Sequence, residues 1–308
     1  MSRLLGPSCG CYTPHIEKGH IYMLSAVSRK QVATIFFFAL TNASISLWAA
    51  DMTPQEIIAK HLDAIGTAQA RNGVTSRVVQ GVATYRILAG GSSAIDGKSV
   101  IASEGRKSNF LFKINTNDYR GEQFICDGNK TSVAGTYGDK SRSEFGELVS
   151  SQDIILREPL LGGVWTAGWP LLDVDGRKAQ LHSEGSKKVD GRALLALRYR
   201  PRKSTDLDII LYFDPQTYQH VMTTYKISLQ AGIGTTEVES ARKQPARYEI
   251  EERFSDFKIT DGITLPSHYD LRFTEELDNG FTKSVEWEVK AASIMNNISI
   301  DARSFQLK

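Results

Sequence analysis

A chain of 308 residues, 41% of them apolar and 23% charged, is long enough for a sizeable core and has the composition of an ordinary globular protein. Its formal net charge of +2 excludes the broad basic field on which general nucleic-acid binding depends.

The amino end reads as a targeting segment. Arg29-Lys30 precede the apolar run Val32-Ala33-Thr34-Ile35-Phe36-Phe37-Phe38-Ala39-Leu40, and small residues follow up to Leu47-Trp48-Ala49-Ala50. A basic n-region, an apolar h-region and a small-residue cleavage site make a secretory signal. The strongly apolar stretch is roughly 10 residues, against about 20 for a spanning helix, which disfavours a membrane anchor. Cutting after Ala49 puts a small residue at the −1 position, whereas cutting after Ala50 would put Trp48 at −3. Met23 sits at the natural distance before the basic pair. Residues 1–22 therefore read as an upstream extension, 23–50 as the signal and 51–308 as one mature domain. Cys9 and Cys11 fall in the extension, so the mature chain keeps only Cys126 and can form no intramolecular disulfide. With no cysteine at the cleavage point and no adjacent arginine pair, the expectation is a periplasmic protein, exported by the general secretory route and not lipid-anchored.

Thr53-Pro54-Gln55-Glu56 opens a helix: hydroxyl N-cap, proline at N1 and glutamate at N3 form a capping box. Ile57, Ile58, His61, Leu62 and Ile65 follow at helical spacing, and Gly66 ends it. Period two then takes over: Val79, Gly81, Ala83, Tyr85, Ile87; Phe110, Phe112, Ile114; Leu195, Leu197, Tyr199; Leu207, Ile209, Leu211, Phe213; Val221, Tyr225, Ile227; Tyr248, Ile250; Tyr269, Leu271, Phe273; Val285, Trp287, Val289. Each run has one apolar and one polar face, as half-buried antiparallel strands require. Asp96-Gly97, Asp127-Gly128, Asp190-Gly191, Asp214-Pro215 and Asp261-Gly262 read as the tight turns of a meander, and so many strands will twist and curl.

The middle breaks the pattern. From about Glu144 to Val174 an apolar stretch without period two, interrupted by Gly162-Gly163, Gly168 and Pro170, reads as short helices joined by bends. It carries too much apolar surface for solvent and is expected in the mouth or concave face of the sheet. The polar, glycine-containing 231–244 stretch reads as a long hairpin loop.

Sites of chemistry are not evident. His61, His182, His220 and His268 have no metal-ligand spacing, and no paired-cysteine motif exists, so neither metal nor cofactor is expected. His61 reads as a partly buried or surface residue, and Cys126 as a small buried hydrophobe in a strand. No nucleophile elbow, phosphate loop or dinucleotide fingerprint occurs. Asp173-Val174-Asp175-Gly176 lacks the further ligands of a calcium loop and reads as a turn. Glu249, Glu251 and Glu252 read as a solvated strand edge. The expectation is a protein that is not an enzyme.

Two motifs and the leading helix carry a resemblance. Leu211-Tyr212-Phe213-Asp214-Pro215-Gln216-Thr217-Tyr218, and Phe254-Ser255-Asp256-Phe257-Lys258-Ile259-Thr260-Asp261-Gly262-Ile263-Thr264-Leu265-Pro266, resemble two hairpins of the LolA/LolB lipoprotein-carrier superfamily. The helix Ile57–Gly66 fits its usual entry. The resemblance implies an α+β fold in which a large antiparallel sheet forms a half-open barrel around a few helices, with an apolar cavity between them. It implies a hydrophobic ligand (lipid, fatty acid or lipoprotein acyl chains), with an envelope protein as a further partner, no nucleic acid, and a monomer.

Candidate lining residues are Tyr85, Phe110, Phe112, Trp165, Trp169, Leu211, Phe213, Tyr225, Tyr269 and Trp287. Burial gains about 0.8 kcal/mol per methylene, so a sixteen-carbon chain could gain about 12 kcal/mol before association costs, with no acid, base or metal required. For any single one of these residues, filling a dry core is the stronger reading, and a sealed, side-chain-filled core with no cavity would sink the carrier reading. The alternatives are a non-enzymatic envelope interaction or stress-sensor module and, third, a lipid or glycan hydrolase.

Overall fold

The computed structural model describes residues 52–91, 93–136, 142–229, 245–277 and 279–307. The extension, the signal and the 231–244 loop of the sequence reading lie outside them. Among the described residues twelve strands fall into two meanders. β1 (Ser76–Ala89), β2 (Ser93–Glu104), β3 (Lys107–Lys113), β4 (Glu122–Asp127) and β5 (Thr131–Gly135) make the first. β6 (Gln180–Val189), β7 (Arg192–Arg200), β8 (Asp208–Phe213), β9 (His220–Leu229), β10 (Ala246–Thr260), β11 (Ile263–Glu276) and β12 (Thr282–Asn296) make the second. β1 pairs antiparallel with β12, with Tyr85 opposite Trp287, and this joins the meanders into one sheet whose free edges are β5 and β6.

The inner face follows the predicted alternation. Phe110 and Phe112, Ile209, Leu211 and Phe213, and Val285, Trp287 and Val289 are all buried. The outer face carries charge across strands instead: Arg86 pairs with Glu286 and Glu288, and Arg272 with Glu286. Opposite charges facing each other across a sheet are mildly stabilising and keep that face in water.

Because β5 and β6 are successive in sequence yet lie at opposite edges, the chain between them crosses the sheet, and it does so on the concave side. That crossing is the expected run of short helices: α3 (Glu144–Ser151), α4 (Ile154–Arg157), single 3-10 turns at Gly163–Trp165 and Pro170–Leu172, and α5 (Val174–Arg177). It is the plug of the half-barrel. An earlier helix, α1 (Pro54–Ile65), has the predicted capping box, with Thr53 N–H donating to Glu56 Oε2 at 2.8 Å and Glu56 N–H to Thr53 Oγ1 at 3.3 Å. Among the described residues no helix is long and apolar enough to cross a membrane.

Four of the five expected turns are present. Asp190-Gly191 and Asp261-Gly262 have φ of 49° and 82°, and of 52° and 76°, the left-handed pair that two-residue hairpins require. Asp96-Gly97 corrects the sequence reading: it lies inside β2, opposite Thr84 and Ala83 of β1. Pairing with β1 throughout, and with β3 from Lys98 onward, outweighs the local turn preference, and the chain reverses instead beyond Ala89, where Gly90 has φ of 85°. Glycine at 97 serves a close approach, since a Cβ there would stand 2.5 Å from both Lys113 O and Ile114 Cγ1. Gly97→Val is expected to lower stability by about 2 kcal/mol through this clash, read as a lower urea midpoint at unchanged slope.

Candidate functional site: the fastened plug in the concave face

The ten candidate lining residues all face the interior, and none is more than 3% exposed. Eight project from the sheet, and Trp165 and Trp169 come from the plug. They form two aromatic groups. In one, Trp287 contacts Tyr85, Phe112, Tyr119 and Phe145 of α3, with ring centroids 5.0–6.1 Å apart. In the other, Trp169 stacks on His220 at 4.7 Å, and His220 packs against Phe213 and Phe254. Trp165 leans on Tyr269 at 5.1 Å. The plug therefore occupies the space that the sequence reading gave to a ligand. Two voids of about 20 and 10 Å³ flank it, bordered by Val164, Ile65 and Ile263 or Thr264. Neither has room for an acyl chain.

The plug is held by directed hydrogen bonds as well as by packing. Arg77 Nη1 donates to Val164 O, Ala167 N–H to Ser103 Oγ at 2.8 Å, Trp165 Nε1 to Pro266 O at 2.7 Å, and Trp169 Nε1 to His61 Nε2 at 3.1 Å. The fifth, from Gly162 N–H, ends on Glu252 Oε1 at 2.6 Å. Arg77 is itself oriented by Asn296 Oδ1 at 2.8 Å, and burial lowers its guanidinium to about 10.

Glu252 corrects the expectation of a solvated acidic edge. It is fully buried, because on β10 it shares parity with the inward-facing Ile250 and Phe254, while Glu249 and Glu251 point outward. Tyr225 Oη donates to its Oε2 at 2.6 Å and Tyr269 Oη to its Oε1 at 2.7 Å. Burial pushes the carboxyl up to about 7, and the two phenols and the Gly162 amide pull against that rise. Burial next to the carboxylate in turn raises both phenols well above their usual value. Tyr225 and Tyr269, chosen as apolar wall, are thus the donors that satisfy a core carboxylate. Gly162, with φ of 77°, allows the amide to point inward, and a Cβ there would meet the Phe110 ring at 2.7 Å.

His61 is likewise more deeply placed than expected, at 1% exposure. Its Nε2 accepts from Trp169, so the proton resides on Nδ1, which donates to Tyr218 O at 3.0 Å. Burial lowers its pKa to about 4, and that of His220 well below the usual value. His220 Nε2 meets Thr223 Oγ1 at 2.8 Å, while its Nδ1 has no partner. Among the described residues no group of three His, Cys, Asp or Glu side chains could hold a metal ion. Cys126 is buried in β4 as expected, and Asp173 caps α5 by accepting from Gly176 N–H at 3.1 Å.

No protein-family model and no curated protein sequence matches the chain. Among solved structures it is similar to a LolA superfamily protein from Nitrosomonas europaea, at 13% identity and a TM-score of 0.43, over 83% of this chain and 98% of that one. It is similar to a domain assigned to outer membrane lipoprotein sorting from Vibrio parahaemolyticus, at 10% identity and a TM-score of 0.42, over 82% of this chain and 96% of that one. A lower similarity, with a TM-score of 0.21 and 12% identity over 79% of this chain and 99% of that one, is to the MucA/MucB complex structure of Pseudomonas aeruginosa.

Two outcomes follow from the fastening. Across pH 4.5 to 7 the raised carboxyl of Glu252 makes the folded state bind more protons than the unfolded one, so its contribution to stability falls as pH rises and levels off above 7. The lowered His61 and His220 act in the opposite sense, losing stability as pH falls below 6.5. Glu252→Gln should isolate the first effect: its stability relative to the parent should improve steadily from pH 4.5 to 7 in urea titrations. Trp169→Phe leaves His61 Nε2 without a donor and should cost about 1–3 kcal/mol, read by the same titrations at pH 7.

Proposed function

We propose that the chain is a periplasmic binding protein, exported by the general secretory route, that takes acyl chains of a lipid or lipidated protein against the concave face of its sheet when the plug is displaced. The observation that carries this reading is the plug itself. An apolar segment fills a sheet-lined trough, yet between residues 162 and 169 it is fastened by five separate hydrogen bonds that can be exchanged for water once it moves. Displacing it would uncover Phe110, Phe112, Leu211, Phe213 and Trp287, a wall whose chemistry suits an acyl chain without any catalytic group.

One observation favours a second reading. The core is filled by its own side chains, the outcome that excludes a carrier with a standing cavity, so with its plug seated the protein acts as an envelope interaction module. Native mass spectrometry of the exported protein after incubation with palmitate, with tryptophan emission followed in parallel, separates the two. The carrier reading expects one or two bound chains and a red shift, as Trp165 and Trp169 leave their fully buried positions. No bound chain and unchanged emission would leave the interaction module.

A further inference from the structure

The charged residues are not spread evenly. At one end of the half-barrel the β2–β3 turn, the β4–β5 turn, the end of α4, α5 and the β7–β8 connection meet around a cleft of about 390 Å³. Five cations line it (Arg106, Arg157, Arg177, Arg202 and Lys203), and Glu158 is the one acid among its lining residues. A second cleft, of about 510 Å³, shares Arg202 and adds Lys178, Arg198 and Arg200 against Asp206 and Asp208. In a chain whose net charge is only +2, this is a local excess.

Part of it is neutralised. Arg157 pairs with Asp153 at 2.6 Å, Lys203 reaches the same carboxylate at 3.7 Å, and Arg198 pairs with Glu184 and Asp208. Arg106, Lys178, Arg200 and Arg202 have no carboxylate within 4.0 Å among the described residues. Like charges converging without counterions repel, and the arrangement favours whatever anion fills the space between them.

Arg177 forms the buried wall of the cleft. Its side chain is 5% exposed, with Nη1 on Glu158 at 3.2 Å and Nη2 on Gly168 O at 2.8 Å, so its charge is already paired and it fixes the wall on which the unpaired cations converge. Guanidinium forks suit carboxylate and phosphate alike, but a single carboxylate would leave most of this charge uncompensated.

We propose that this cleft binds a phosphate group, with Arg106 and Arg202 as its ligands, whether the phosphate belongs to a soluble compound or to a lipid headgroup. The site is separate from the concave face and does not depend on the acyl-carrier reading. The test is calorimetric titration of the protein with inorganic pyrophosphate, alongside flotation with phosphatidylcholine vesicles containing or lacking 20% phosphatidic acid. Arg106→Gln/Arg202→Gln removes two exposed, unpaired cations and should fold as the parent does. Lys98→Gln/Lys258→Gln removes two exposed cations elsewhere and keeps the same net charge as the first pair.

Binding of pyrophosphate that weakens at least tenfold in the arginine pair, and little in the lysine pair, supports the site with a soluble source. Flotation with phosphatidic acid alone, lost in the arginine pair, supports it with a headgroup source. The proposal is overturned if neither probe binds, or if the two pairs of substitutions weaken binding equally, which would mark a net-charge effect. Palmitate binding by the arginine pair should match the parent, so failure here and failure of the carrier reading are read separately.

Discussion

A curled sheet has an inside that must be covered, and here the covering is dictated by connectivity. Since β1 pairs with β12, the two strands left without a neighbour are β5 and β6, which the chain visits one after the other. The link between them passes over the concave side, where it packs as an apolar segment. The aromatic content of residues 144–177, their lack of strand periodicity and their glycine and proline bends are three answers to that one demand.

Apolar contact alone would let such a segment slide, because dispersion and hydrophobic burial are not directional. The hydrogen bonds of residues 162–169 supply the direction. They come from α1, β1, β2, β10 and β11, so the plug is referenced to both meanders. The arrangement has a cost, since a carboxylate, an arginine and two histidines are kept in the core. Each is satisfied by specific partners apart from His220, whose Nδ1 remains unused. Directional specificity gained at the expense of electrostatic ease is a known use of buried polar groups.

Much of the architecture was legible because period two is a strong signal where one face is apolar. Strands such as β8 and β12 could be marked residue by residue, and the capping box placed α1. What escaped did so for identifiable reasons. β2 begins Ser-Ala-Ile-Asp-Gly-Lys, with exposed residues on both faces, so its pairing is fixed by neighbours rather than by its own pattern. β6 carries a register shift between Ser183 and Ser186, which scrambles alternation, and as an edge strand it has little apolar content. Glu252 was recoverable in principle: counting parity from Ile250 to Phe254 puts it inside, but acidity argued louder than position. The ten candidate residues are all buried, whereas the hydrogen bonds of Trp165 and Trp169 reach partners 101 and 108 residues away, beyond any local pattern. The basic cleft draws on five separate segments and leaves no mark in any window of sequence.

The pairing of the first strand with the last also orders events in time. Arg77 and Asn296, hydrogen-bonded across that seam, are 219 residues apart. As the chain emerges from its amino end, β1 to β5 can form early but keep a bare flank, with its row of unpaired amides and carbonyls, until the final strand is made. So wide a loop closure is slow, and the waiting edge invites wrong partners meanwhile. The seam that unites the finished sheet is therefore the last to be sewn, and a chain interrupted shortly before it would be left with its central strand open on one side.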